Sequence, residues 1–199
     1  MTLRKTIVTI WLALLFSGIA YLFWHNELVY SLPTPVPHNY KPVNRGDKVL
    51  IPEMESLKNN KPLFLHFFNP DCPCSRFNMA HFKSIVQKYI GDANFAIIVM
   101  SNKHFTARDI QDRFDLDIPV YFDSTIAAAC GVYSTPQAVV IDTKDRLFYR
   151  GNYNKARYCT DPRSNYAQQA LDSLLHHRGV YFDKYALTAY GCTLPNCTK

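Results

Sequence analysis

The stretch PLFLHFFNPDCPCSRF, Pro62 to Phe77, changes its period halfway along, and that change sets the architecture. Pro62 to Phe68 is a short apolar, aromatic run of the kind found in buried strands. Asn69-Pro70-Asp71 cannot continue a ladder, so a strand delivers the chain to Cys72. From Pro73 onward Phe77, Phe82, Ile85, Val86 and Tyr89 recur at helical spacing, with Lys83, Gln87 and Lys88 between them, until Gly91. An amphipathic helix therefore follows the cysteine directly. Proline suits the first helical position, which puts Cys72 at the N-cap. Orphan amides at Cys74 and Ser75 and the positive end of the helix favour its thiolate, the form that attacks disulfides and binds soft metals.

Outward from this centre, Asn94 to Ser101 reads as a second buried strand and Thr106 to Phe114 as a helix. IPVYFD gives a short extended segment, and Ala127 to Cys130 a helical turn. Thr135 to Asp142 and Arg146 to Tyr153 form a hairpin around Thr143-Lys144-Asp145, and Asn165 to His176 a closing helix. Strands that alternate with helices imply an α/β domain with parallel pairing in its first half.

Toward the amino terminus, Thr6 to Trp24 carries no charge and has the length needed to cross a bilayer core of about 30 Å. It ends in Tyr21, Leu22, Phe23 and Trp24, which suit an interfacial belt better than a cleavage site. Residues 1–26 are thus expected to be an uncleaved signal-anchor. Arg4 and Lys5 precede the span, so the positive-inside rule leaves the amino terminus in the cytoplasm and exports the rest. The expected location is a bacterial-type inner (cytoplasmic) membrane, crossed once, with the C-terminal domain facing the periplasm. Pro33, Pro35, Pro37 and Pro42 mark 27–45 as a Pro-rich linker, followed by a domain at 46–180 and a tail at 181–199. Cys192 and Cys197 of the tail enclose a Leu-Pro-Asn turn and are expected to form a structural disulfide, the competing reading being a mobile redox tail that relays electrons.

Composition excludes several classes of function. The chain has 199 residues, 48% hydrophobic and 19% charged, enough apolar content for a core and not that of a disordered chain. Its net charge of +6 is scattered rather than gathered in a stripe, so nucleic acid is not an expected partner. Seven glycines without a phosphate-cradling motif argue against a nucleotide, and no cofactor is expected.

The order of elements from about Lys61 to Leu175 resembles the thioredoxin-like superfamily, in its membrane-anchored, extracytoplasmic thioredoxin/redoxin-like branch. FFNPDC resembles the family's approach to its active-site cysteine, and CGVYSTP resembles the segment that leads to its cis proline. The resemblance implies a central mixed sheet flanked by helices, with Cys72 as nucleophile and Pro136, after Thr135, lining the peptide-binding edge. It also puts His66 where thioredoxins often bury an acidic proton-transfer residue. A hydrogen-bonded sheet histidine explains His66 equally well. One departure matters: the family's second cysteine position holds Ser75, and Cys74 stands one place earlier, a Cys-Pro-Cys variant. Residues two apart in a helix point about 200° apart, so a Cys72–Cys74 bond would distort the first turn. Cys159, which the hairpin brings back toward the active edge, is the alternative resolving thiol. Cys130 reads as a small core residue, and His81 and His104 as surface residues.

Three functions compete on this reading. The first is a membrane-anchored thiol–disulfide oxidoreductase acting on exported protein thiols and disulfides, with a redox-recycling partner. The second is a Cu(I) chaperone that uses Cys72 and Cys74 with Cys159 or His66. The third is a non-enzymatic thioredoxin-like binding module. A peroxiredoxin pattern would require Pro and Thr or Ser where Leu65 and Asn69 stand.

Overall fold

The computed structural model describes residues 2–57 and 59–195, and the chain divides after Leu32 into two compact units. The first unit is helix α1 (Thr2–Phe23), continued by a π-helical turn (Trp24–Leu28) and the short α2 (Val29–Ser31). Within it Leu3–Leu28, 26 residues, is long and apolar enough to cross a membrane. At 1.5 Å per residue it reaches about 39 Å, more than a bilayer core requires. Its large apolar side chains, among them Ile7, Trp11, Leu14, Phe16 and Trp24, are exposed on every side.

The second unit contains, in chain order, β1 (Leu63–Phe68), α3 (Pro73–Tyr89), β2 (Asn94–Val99), α4 (Ala107–Phe114), β3 (Val120–Tyr121) and α5 (Ser124–Cys130). It continues with β4 (Ser134–Thr135), β5 (Gln137–Ile141), β6 (Leu147–Gly151), α6 (Tyr166–Leu175), α7 (Lys184–Leu187) and β7 (Cys192–Thr193). The main sheet has the order β3-β2-β1-β5-β6. The pairs of β1 with β2 and of β2 with β3 are parallel, and β5 runs antiparallel to both β1 and β6. With the Thr135–Pro136 peptide bond in cis before β5, this is the thioredoxin-like arrangement.

β1 is buried at all six positions, because both faces of the sheet are covered and no polar alternation is needed. Phe64 and Phe68 point to one face, where they join Phe82 and Ile85 of α3, Ile110 and Phe114 of α4, and Leu171 of α6. Leu65 and Phe67 point to the other, into Met54, Ile126, Cys130, Val139 and Ile141. The two layers hold β1, and with it the start of α3, rigidly in the centre.

Two segments that the sequence sets outside the domain are built into it. The linker assigned to 27–45 packs on the domain from Pro33 onward: Pro33 bridges Tyr190, the Thr34 amide donates to the Ala189 carbonyl at 2.8 Å, and Thr34 Oγ1 lies 2.9 Å from Ser134 Oγ. The Tyr40 hydroxyl donates to the Gly131 carbonyl, and the Arg150 guanidinium to the Val43 carbonyl. Prolines remove amide donors but keep every carbonyl, so the segment can still be fastened by donors from elsewhere. In the tail, the Asn152 side-chain amide donates to the carbonyls of Tyr185 and Thr188, each at 2.6 Å, and Ala186 and Ala189 are buried. Gly151 makes this docking possible, since a Cβ there would run into the Ala186 carbonyl and the Tyr149 hydroxyl.

Candidate functional site

The loop after β1 is folded by its own side chains. Asn69 Oδ1 accepts from the Asp71 amide at 2.9 Å, and the Ser75 hydroxyl accepts from the Asn69 amide at 3.2 Å. Lys103 donates to Asp71 at 2.7 Å, which with the Ser101 hydroxyl holds that carboxyl below the usual carboxylate range. Cys72 follows as the N-cap of α3, with φ −86° and ψ 122° and Pro73 behind it. The sulfur is buried, 3.9 Å from the Thr135 carbonyl oxygen.

Cys72 is bonded to Cys192, with Cα atoms 6.3 Å apart. The Cys192–Cys197 disulfide expected from the tail is thereby overturned: the chain after α7 runs along β4 and brings Cys192 to the N-terminus of α3, while Cys197 lies outside the described residues. Thr135 pairs with Cys192 and Ser134 with Thr193 in an antiparallel ladder. Gly191, at φ +142°, precedes the cysteine. A Cβ there would strike the Thr135 carbonyl oxygen, so this close approach needs glycine.

Cys74 keeps its thiol and is buried beside the bond. The sulfurs of Cys72, Cys74 and Cys192 all lie within 4.8 Å of one another. The helical divergence of Cys72 from Cys74 does not apply, because Cys72 has extended backbone angles and stands off the helical wheel that starts at Pro73. Cys159 is not in this group. It sits in a turn at φ 54°, and its thiol donates to Asn78 Oδ1 at 3.0 Å, while the Asn78 side-chain amide donates to the Cys74 carbonyl at 3.0 Å. Burial pushes the Cys159 thiol up to about 12, and that of Cys130, the buried last residue of α5, likewise to about 12.

His66 is fully buried in β1. Its Nδ1 lies 2.6 Å from the Tyr153 hydroxyl, and its ring stacks on Phe82 at 4.3 Å. Burial lowers its pKa to about 3 and favours the neutral ring. His81, expected at the surface, is half-buried and stands edge-on to the Tyr153 ring, its pKa also lowered by burial. Thr135 and Pro136 stand beside the disulfide, as the resemblance implies. Cys192 was assigned to a tail disulfide, and its pairing with Cys72 is what sequence reasoning missed. The one local signal was Gly191, a glycine directly before a cysteine.

Two solved structures superpose over most of the chain and share the fold. A hypothetical protein from Sinorhizobium meliloti 1021 superposes with a TM-score of 0.64 at 17% identity, over 78% of this chain and 96% of its own. An uncharacterized conserved protein from Geobacillus kaustophilus gives 0.64 at 18% identity, over 82% and 97%. A putative thiol:disulfide interchange protein DsbE from Chlorobium tepidum gives 0.46 at 18%, over 55% and 85%. No curated protein matches the chain. Residues 44–195, which carry β1, the sulfur group and the returning tail, match the family described as Domain of unknown function (DUF6436), and the chain belongs to that family.

Proposed function

We propose that the protein is a thiol–disulfide oxidoreductase with Cys72 as nucleophile and Cys192 as resolving thiol. The observation that carries this reading is the Cys72–Cys192 bond, placed at a helix N-terminus and against Thr135 before the cis Pro136. In the reduced protein the Cys72 thiolate attacks one sulfur of a substrate disulfide, forming a mixed disulfide and releasing the other sulfur as a thiolate that takes up a proton. Cys192, as thiolate, then attacks Cys72 Sγ. The second substrate thiol leaves, and the protein ends as the Cys72–Cys192 disulfide while the substrate has gained two electrons. The reverse sequence oxidises a dithiol substrate. Cys74 is close enough to either partner to take the resolving role in its place. The substrates are protein thiols and disulfides on the exported side of an inner membrane, α1 is the single anchor, and a dithiol partner recharges the enzyme. Arg4 and Lys5 before an uncharged span support that orientation.

Exchange with a chromogenic disulfide tests the chemistry. Cys72→Ser should abolish it with the fold intact, and Cys74→Ser/Cys192→Ser, which lacks both nearby resolving thiols, should accumulate mixed disulfides. Retained exchange in Cys72→Ser would remove the reading.

A second reading has a specific observation behind it. Once reduced, Cys72, Cys74 and Cys192 offer three thiolates in a triangle, a donor set suited to Cu(I). Cys192 then takes the place that the sequence assigned to Cys159 or His66. Reduced protein should hold about one Cu(I) per chain against a competing chelator, and Cys192→Ser should lose it. Only weak uptake by the reduced protein would exclude this use.

A further inference from the structure

The segment that ends in the reactive disulfide is not merely tethered to the site; it is bound as a strand. On one side Cys192 and Thr193 pair with Thr135 and Ser134. On the other, the Thr34 amide donates to the Ala189 carbonyl at 2.8 Å, Thr34 Oγ1 donates to the Gly191 carbonyl at 3.3 Å, and Pro33 bridges Tyr190. Residues 189–193 therefore lie in a slot with backbone partners on both edges. Those partners read main chain and would accept any extended peptide.

Side chains impose the selectivity. The residue before the cysteine must be glycine, because Gly191 adopts φ +142° and a Cβ would strike the Thr135 carbonyl oxygen. The residue two after it is Leu194, buried in the core layer that contains Ile51, Met54 and Val132. The cysteine itself meets Cys72 in the bond that a substrate cysteine would form as a mixed disulfide.

We propose that this arm is an internal stand-in for the substrate, and that the slot takes an extended Gly-Cys-x-Leu type segment: glycine before the cysteine and an apolar side chain two after it. The inference rests on the oxidoreductase reading and adds its substrate class. While Cys72 and Cys192 are bonded the arm fills the slot. When a dithiol reductant converts that bond to two thiols, itself becoming a disulfide, the arm is held by non-covalent contacts alone, among them the two-residue ladder, Thr34, the Pro33–Tyr190 bridge and Leu194, and a competing peptide can replace it.

The test uses the full chain in detergent as the Cys74→Ser/Cys192→Ser variant, so that a mixed disulfide at Cys72 is trapped. The probes are the peptide Ala-Tyr-Gly-Cys-Thr-Leu-Pro-Asn, with its cysteine activated as a thionitrobenzoate disulfide, and two relatives with Gly→Val or Leu→Ser. The parent should form the protein–peptide disulfide, identified by mass, with each relative about tenfold slower, the scale of one misfit side chain in a recognition pocket. Adding Leu194→Ser, which loosens the arm, should speed the parent peptide severalfold. Equal rates for the three peptides, with the small reagent 5,5′-dithiobis(2-nitrobenzoate) still reacting at Cys72, would overturn the stand-in alone. No reaction of Cys72 even with the small reagent would overturn the oxidoreductase reading beneath it.

Discussion

Cys72 stands one residue outside α3, and that offset decides its partners. An extended backbone at the N-cap turns its sulfur toward Thr135 and leaves Cys74, two residues on, inside the same sulfur group. Oxidised Cys192→Ser protein is therefore expected to form Cys72–Cys74. Alkylation followed by peptide mass mapping would detect it, and a Cys72–Cys159 crosslink would contradict the geometry. His66 makes a second prediction. Its pKa is about 3 in the fold, against about 6.5 in an unfolded chain. Between those values the unfolded chain binds a proton that the folded one refuses, so stability is complete above pH 6.5 and is lost as pH falls toward 3. This one residue contributes up to about 1.4 kcal/mol per pH unit across that window, and half-buried His81 acts in the same direction. Urea midpoints should drop between pH 7 and pH 5, with a shallower drop in His66→Gln; equal drops would place the titration elsewhere. Cys72 was legible because proline behind a cysteine has a local meaning. Cys192 was not, because its partner lies 120 residues away and no spacing in the tail points there.

Elements that carry a sustained apolar run or a period were legible; the two-residue β4 and β7 were not. β1, α3, β2 and the hairpin of β5 and β6 each repeat an apolar pattern long enough to read. β4 and β7, two residues each, carry no period at all, yet their ladder is what holds the C-terminal arm at the site. The tail counts as part of the domain for a similar reason, since α7 is fastened by the side chain of Asn152, whose donors no sequence pattern assigns. Gly151 tests the importance of that docking. Gly151→Ala forces a methyl group against the Ala186 carbonyl and the Tyr149 hydroxyl. Destabilisation of roughly 1–3 kcal/mol is expected from such overpacking. Urea unfolding would measure it, and an unchanged midpoint would mean that α7 yields freely.

At the scale of the whole molecule, the sequence marked the apolar helix and the α/β order correctly, and it drew the domain too narrowly because prolines read as a spacer and a cysteine pair read as a separate loop. Both ends return to the same place: Thr34 and Gly191 meet beside Ser134. The Cys72–Cys192 bond closes a loop with a sequence separation of 120. A loop of that size restricts the unfolded chain by roughly 5 kcal/mol in the chain-entropy model. Reduction should then lower the thermal midpoint by roughly 10–20 °C for a domain of this length. Calorimetry with and without reductant checks it, with Cys74→Ser/Cys192→Ser expected to match the reduced protein under both conditions; coincident midpoints would show that the bond adds no constraint. The same loop changes what a protease can accomplish. While the bond is intact, residues 72–192 form a covalent ring, and one cut between Pro73 and Gly191 opens the ring without dividing the molecule. After reduction the same cut yields two pieces, only one of which still carries the apolar helix. With that helix in a bilayer, whether a nicked domain is shed or retained is set by the state of a single pair of sulfurs.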